Sequence, residues 1–332
     1  MVTNFARIAL DNGGIIKPLL IPSELTQGTG LCNPSVFVDT DGTIRLNLRH
    51  VQYNLYHSEI GQKYPSWHGP LIYLHPEDDL TLRTENYFCI LNPDTLEIED
   101  YKKVDMSKFN VTPIWEFIGL EDARLFNWDG KYYLCGVRRD TDSKGQGRME
   151  LTEIEFHADT VKEVSRRRIA PPGDKSYCEK NWMPILDKPN HWVKWSNPTE
   201  VVFLPEGTLE TVTVHLSDTR LPLPRDLRGG SQVLPFEGGY IALTHEVDLW
   251  NGEGGHKDAH YYQRFAIWDK DFNLVKWSSE FKLMEARIEF AAGMAQQGDN
   301  FLMTFGYQDN AAYILRVPVQ TVKDFIDGKY SA

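Results

Sequence analysis

The sequence predicts an all-β fold, a five-bladed β-propeller of four-stranded antiparallel blades. Three observations predict it. A hairpin of apolar strand, polar turn and second apolar strand recurs five times. The copies begin near 33, 121, 180, 229 and 289, a usual period of about 50 to 60 residues that suits a propeller blade. Helical periodicity is scarce, and short apolar runs are broken throughout by Gly, Pro, Asp and Asn. A four-stranded sheet cannot bury both faces alone, so such repeats must pack radially. Two separate sandwiches would not explain why the same hairpin returns.

The first copy runs from Asn33 to Val38, turns over Asp39 to Gly42, and continues from Ile44 to Arg49. The second opens on Glu121, Asp122 and Arg124, turns at Asp129-Gly130, and ends in Arg138 and Arg139; Asp-Gly between two apolar runs is a strong hairpin signal. The third leads from Lys180 through Asp187–Asn190 to Trp195, the fourth from Gly229 through Glu237–Gly239 to His245, and the fifth from Glu289 through Gly298-Asp299 to Gly306. Further strand candidates, such as 150–156, 200–204, 263–268 and 312–317, bring each repeat towards four strands. The chain, 1–332, reads as a single propeller domain. It carries an insertion at about 51–115, too long for an ordinary blade connection and expected over the rim as a lid or a partner-contacting arm. A short C-terminal helix is expected at about 320–327.

Composition narrows the partners. The net charge of −12 disfavours nucleic acid and anionic membranes. The 9 Trp, 15 Tyr and 16 Phe supply a core and also suit stacking against sugar rings. Trp182, Trp192 and Trp195 read as packing between blades, and Arg166 to Arg168 as a solvated charge run. Cys32, Cys89, Cys135 and Cys178 have no metal-ligand spacing and read as buried thiols of a reducing compartment. With neither a leader-like apolar stretch nor a membrane-length run, the expected location is cytoplasmic. His256 and His260 stand four apart, but the flanking glycines point to a loop, and no metal is expected.

In a propeller the starts of the inner strands and the ends of the second strands ring one mouth of the channel. That geometry places Asn33, Asp122, Lys180, Gly229 and Glu289 on one rim, with Arg49, Arg138, His245 and Asp309 returning to it. Gly229 and Gly230 either admit a ligand to the backbone or serve a tight turn. Glu289 is either a second acid or a cap on its own strand. Arg148, after a Gly-rich loop, either reaches phosphate or belongs to that loop. Carboxylates beside cations suit acid-assisted cleavage or formation of a glycosidic bond. A hydrolase needs a second carboxylate to activate water, whereas a phosphorylase needs several cations to hold phosphate.

The order EDAR…YYL, EKNW, GGSQVLPFEGGYIALTHE and EFAAGM…NFLMTFGYQDNAA resembles the five-bladed propeller enzymes of glycoside hydrolase family 130, over about Asn33 to Val319. These are β-mannoside phosphorylases and hydrolases, with related mannosyltransferases. The resemblance implies Asp122 as general acid, substrate contact for Arg124 beside it, phosphate contact for Lys180 and His245, and sugar contact for Asp309. Rim position adds Asn33, Arg49 and Glu289 on the substrate side and Arg138 on the phosphate side. The sequence departs in having Ala123 where the family usually has Pro, and Thr244-His245-Glu246 where Tyr-His-Gly is common.

The expected function is an inverting β-mannoside phosphorylase or hydrolase. A glycosyltransferase of surface or storage glycan synthesis and a non-catalytic carbohydrate-binding propeller are the alternatives. The expected partner is an oligosaccharide or glycan, with no nucleic acid, no membrane span and room for a homo-oligomer. No cofactor is called for, and inorganic phosphate would enter as co-substrate.

Overall fold

Each predicted hairpin turns on residues that tolerate left-handed backbone. Asp129 and Gly130 have φ of 52° and 80°, Glu237 and Gly238 have 47° and 79°, and Gly42 and Gly298 have 86° and 56°. The computed structural model describes residues 2–57, 71–74, 81–173, 176–218, 220–251 and 257–330. The strands flanking these turns assemble into five antiparallel blades, a β-propeller.

Blade one comprises Leu31–Val38, Ile44–Val51, Leu82–Leu91 and Ile98–Asp105. Blade two comprises Glu121–Trp128, Lys131–Arg138, Arg148–Phe156 and Val161–Arg168. Blade three is Met183–Pro184, His191–Ser196, Thr199–Phe203 and Val212–Leu216. The inner strand of blade four is in two pieces, Arg228–Gly229 and Leu234–Phe236, both paired with Gly239–Asn251, followed by Lys257–Trp268 and Leu274–Trp277. Blade five is Glu289–Gln297, Asn300–Tyr307 and Ala311–Pro318, and its fourth strand is Ile15–Pro18 from near the other end of the sequence. That pairing closes the ring. The helix Val319–Ile326 packs Val322, Phe325 and Ile326 on the cluster shared by blades four and five. No helix among the described residues is long and apolar enough to cross a membrane.

Apolar burial explains why the blades stand radially. One buried cluster lies at each junction. Leu125 and Leu134 meet Phe88 and Val104 between blades two and one. Phe126 and Trp128 meet Trp182 and Trp192 between two and three, so these last two tryptophans pack between blades as expected. Met183 and Val193 meet Tyr240 and Trp268 between three and four. Leu243 and Phe265 meet Met303 and Phe305 between four and five, and Leu302 and Ile314 meet Val36 and Leu46 between five and one. Each blade thus covers both faces on its neighbours.

Buried Gln232 of blade four ties the inner strands together. Its side-chain nitrogen donates to Ser35 Oγ and the Val36 carbonyl at 3.0 Å and to the Leu125 carbonyl at 2.6 Å, while its oxygen accepts the Met294 N–H at 3.1 Å. One amide therefore links four blades.

Three expectations need correction. The stretch 51–115 is not mainly an insertion, because Leu82–Leu91 and Ile98–Asp105 within it are the third and fourth strands of blade one. What displaced them is the Asn54–His57/Leu71–Leu74 hairpin between the second and third strands; residues 58–70 and 75–80 of the expected lid lie outside the described residues. The arginines at 166–168 are not merely solvated. Arg166 pairs with Glu163 at 2.5 Å and donates to the Phe109 carbonyl at 2.8 Å, and Arg168 pairs with Glu150 at 3.2 Å. Arg166 thereby braces a junction where the outer strands of blades one and two pair in parallel, Val161 opposite Val104. Cys32, Cys89 and Cys135 are buried as expected, but Cys178 is only half-buried; all four are free thiols.

Candidate active site at the channel mouth

Bulges at the starts of the inner strands aim the site. Register slips between Cys32 and Ser35 in blade one and between Glu121 and Arg124 in blade two. The residues inside those slips, Asn33 and Asp122, sit at φ of 44° and 50°, and Asn181, just before blade three, sits at 62°. Asn and Asp enter this left-handed region more readily than other non-glycine residues. A bulge re-aims a side chain that a regular strand would place elsewhere.

Asp122 is held from blade one. Its Oδ1 accepts 2.7 Å hydrogen bonds from Asn33 Nδ2 and Arg49 Nη1. The Arg49 guanidinium also donates to Thr84 Oγ1 at 3.1 and 3.0 Å and lies 3.4 Å from Glu121. Burial alone would raise the Asp122 pKa, but Arg49, Asn33, Arg124 and Lys180 outweigh it and the net direction is down. Glu121 and Asp309 go the other way, pushed up by burial and by the Asp122 charge against a smaller lowering by Arg49 and Lys180. Three carboxyls therefore share one mouth with split proton affinities, and Asp122 is the one whose ionised form the free protein favours.

The remaining walls bring the other charges in. Lys180 is exposed, and its charge is felt at Glu121, Asp122, Asp309 and His245, which come from blades two, five and four. His245 donates from Nδ1 to the Gly229 carbonyl at 2.8 Å and stacks on Tyr261 with centroids 5.7 Å apart. Burial, Arg228 and Lys180 depress its pKa to about 3. The imidazole is thus neutral at pH 7 and presents Nε2 as an acceptor; it is not a cation for phosphate in the ligand-free protein. Tyr261 is influenced by Asp309, Asp122 and Arg228, so it and Arg228 join the cluster.

Asn33, Arg49, Asp122, Lys180, His245 and Asp309 therefore come together. Arg124, Arg138 and Glu289 do not line the mouth. Arg124 is fully buried, donating to the Gly230 carbonyl at 2.8 Å and the Asp122 carbonyl at 2.7 Å, with Asn181 Oδ1 at 3.4 Å. It fixes the Asp122 backbone and has no surface for substrate. Arg138 is buried between Asp140 at 3.1 Å and Glu150 at 3.0 Å, which neutralise it. Glu289 accepts the N–H groups of Leu283 at 2.7 Å, Met284 at 3.1 Å and Ala286 at 2.8 Å, so it caps the loop before its strand.

Arg148 holds the Gly147 and Ser176 carbonyls at 2.7 and 2.9 Å. Gly229 is required because a Cβ there would overlap the Asn181 carbonyl, so protein, not ligand, fills that space. His256 lies outside the described residues, and His260 packs edge-on to Trp250 at 4.8 Å. Arg228 and Tyr261 escaped the sequence reading, whereas Glu121 was its fallback acid should Asp122 not serve. Nothing in sequence spacing points to Tyr261.

Gly306 of blade five presses on Asn33: a Cβ there would lie 2.7 Å from the Asn33 nitrogen and overlap its side-chain oxygen. Gly306→Ala should cost about 1–3 kcal/mol of stability. A denaturant midpoint unchanged from wild type would show that this contact relaxes freely.

No family model matches the chain, and no curated protein does. Solved structures match it along most of its length. β-1,2-Mannobiose phosphorylase from Listeria innocua, in complex with β-1,2-mannobiose, is 15% identical with a TM-score of 0.57, over 94% of this chain and 97% of that one. The chain shares that fold. A structure from the GH130 family of mannoside phosphorylases, described as containing hydrolases that target β-1,2 mannosidic linkages in Candida mannan, is 14% identical with a TM-score of 0.57, over 88% and 85%. A mannose phosphorylase from Leishmania mexicana in complex with a phosphate ion is 11% identical with a TM-score of 0.51, over 95% and 92%.

Proposed function

We propose that the protein is a carbohydrate-active enzyme, an inverting β-mannoside phosphorylase or hydrolase with Asp122 as general acid. The observation that carries this reading is the meeting of Asp122, Asp309 and Lys180, from three parts of the ring, at one mouth. The fold shared with mannoside phosphorylases, one bound to mannobiose and one to phosphate, supports the substrate class.

In this mechanism the nucleophile's oxygen attacks the anomeric carbon from the face opposite the leaving group. The C–O bond breaks, its electron pair goes to the leaving oxygen, and the Asp122 carboxyl supplies the proton. With phosphate as nucleophile the product is a sugar 1-phosphate of inverted configuration. Asp122 is ionised in the ligand-free protein, so it must gain its proton in the complex. An anionic phosphate beside Lys180 offsets the cation that helps to depress its pKa and adds negative charge, both of which raise it. Neutral His245 accepts from a hydroxyl of the sugar or of a protonated phosphate.

The test is incubation with a panel of β-mannosides, with and without phosphate. Sugar 1-phosphate formed only with phosphate supports the phosphorylase, and free sugar formed without it the hydrolase. Turnover only with a sugar nucleotide, or binding with none, overturns the reading. Under phosphorolysis, Lys180→Ala should raise KM for phosphate about 10–100-fold, the worth of one charge-assisted contact, and leave KM for sugar within about twofold. Equal effects on both constants would remove Lys180 from the phosphate.

A further inference from the structure

A second cavity, of about 670 Å³, lies between blades one and two and shares no lining residue with the mouth cluster. We propose that it is a sugar-binding subsite that takes the outer residues of a glycan whose scissile bond lies at Asp122. The proposal rests on the carbohydrate reading above.

Its size falls within the range of small-ligand sites, about 300–1,000 Å³. Its charge chooses the ligand. Lys103 pairs with Glu85 at 2.5 Å and Arg138 with Asp140 at 3.1 Å, Arg83 is the third lining cation, and Asp105 and Asp159 stand exposed at the cleft edge, so four carboxylates face three cations. A phosphate or nucleotide would meet carboxylates there, whereas hydroxyl groups would meet acceptors. Asp140 is 3% exposed and its Oδ2 accepts from the Gly119 N–H at 2.9 Å and from Arg138 Nη1, while its Oδ1 is a buried acceptor with no hydrogen-bond partner. Met106, Val111 and Ile118 line the cleft as well and offer apolar surface to the C–H faces of a sugar ring.

Two links through the protein place the cleft beside the Asp122 site. Thr84 lines the cleft and accepts from the Arg49 that holds Asp122. Gly119 lines it two residues before Glu121, at most ~7 Å of extended backbone. A chain one or two sugars longer than the minimal substrate would reach it without crossing a blade.

The experiment is calorimetric titration of the full chain with β-1,2-mannobiose and β-1,2-mannotriose. Wild type should bind the trisaccharide about tenfold more tightly. Val111→Trp, at a position 61% exposed and therefore tolerant of bulk, should remove that advantage and leave the disaccharide affinity unchanged. Asp159→Ala should reduce the advantage in the same direction. Equal affinities in wild type, or variants that weaken both sugars alike, would overturn the subsite and leave the activity standing. Binding of neither sugar, with no turnover on any β-mannoside, would overturn both.

Discussion

Asp122→Asn should lower turnover by about 10²–10⁴-fold, the usual worth of a positioned general acid, while sugar binding stays close to wild type. Asparagine can still accept from Asn33 and Arg49, so the geometry survives and only the transferable proton is lost. The variant also has a stability signature. The folded pKa of Asp122 lies below its ordinary value of 3.8, so its ionised form stabilises the fold above that pH, and the contribution disappears as pH falls through the lowered value. Wild type should therefore exceed Asp122→Asn in stability at pH 7, and the gap should close below about pH 4. Near-normal turnover would sink the assignment. The proton would then belong to Asp309 or Glu121, whose pKa values are raised; Glu289 is no longer a candidate because three backbone N–H groups occupy its carboxylate.

The second large effect belongs to Arg124. Arg124→Met keeps most of the buried volume but strands the carbonyls of Gly230 and Asp122. Unsatisfied buried acceptors cost about 1–3 kcal/mol each, so a loss of roughly 3 kcal/mol is expected, read as a shift in denaturant midpoint at constant slope. Burial lowers the Arg124 pKa to about 10, so the guanidinium stays charged at pH 7 and helps to hold the pKa of Asp122 down. In Arg124→Met the depression of Asp122 should shrink, moving its limb of a pH–rate profile upward. A stability loss below about 1 kcal/mol would mean that the Asp122 backbone is held by the bulge alone.

The ring was legible because its turns are local. Asp129-Gly130 and Glu237-Gly238 declare their hairpins within a few residues, and five such hairpins imply the blades. The closing strand Ile15–Pro18 was not legible, since four residues ending in Pro carry no periodicity and its partner lies almost 300 positions away. The site divides along the same line. Asp122, Lys180 and His245 could be placed because they flank recognisable strands. The withdrawal of Arg124 from the mouth depends on Gly230, 106 residues distant, and that of Glu289 on a loop with no pattern of its own. Side-chain burial at a rim is decided by the neighbouring blade, which a reading of one hairpin does not contain.

The Gln232 amide, bonded to Ser35, Val36, Leu125 and Met294, holds four inner strands at fixed spacing from one side. Four blades thus lean on one side chain of the fourth, so a change at position 232 would loosen the whole ring at once and not a single junction.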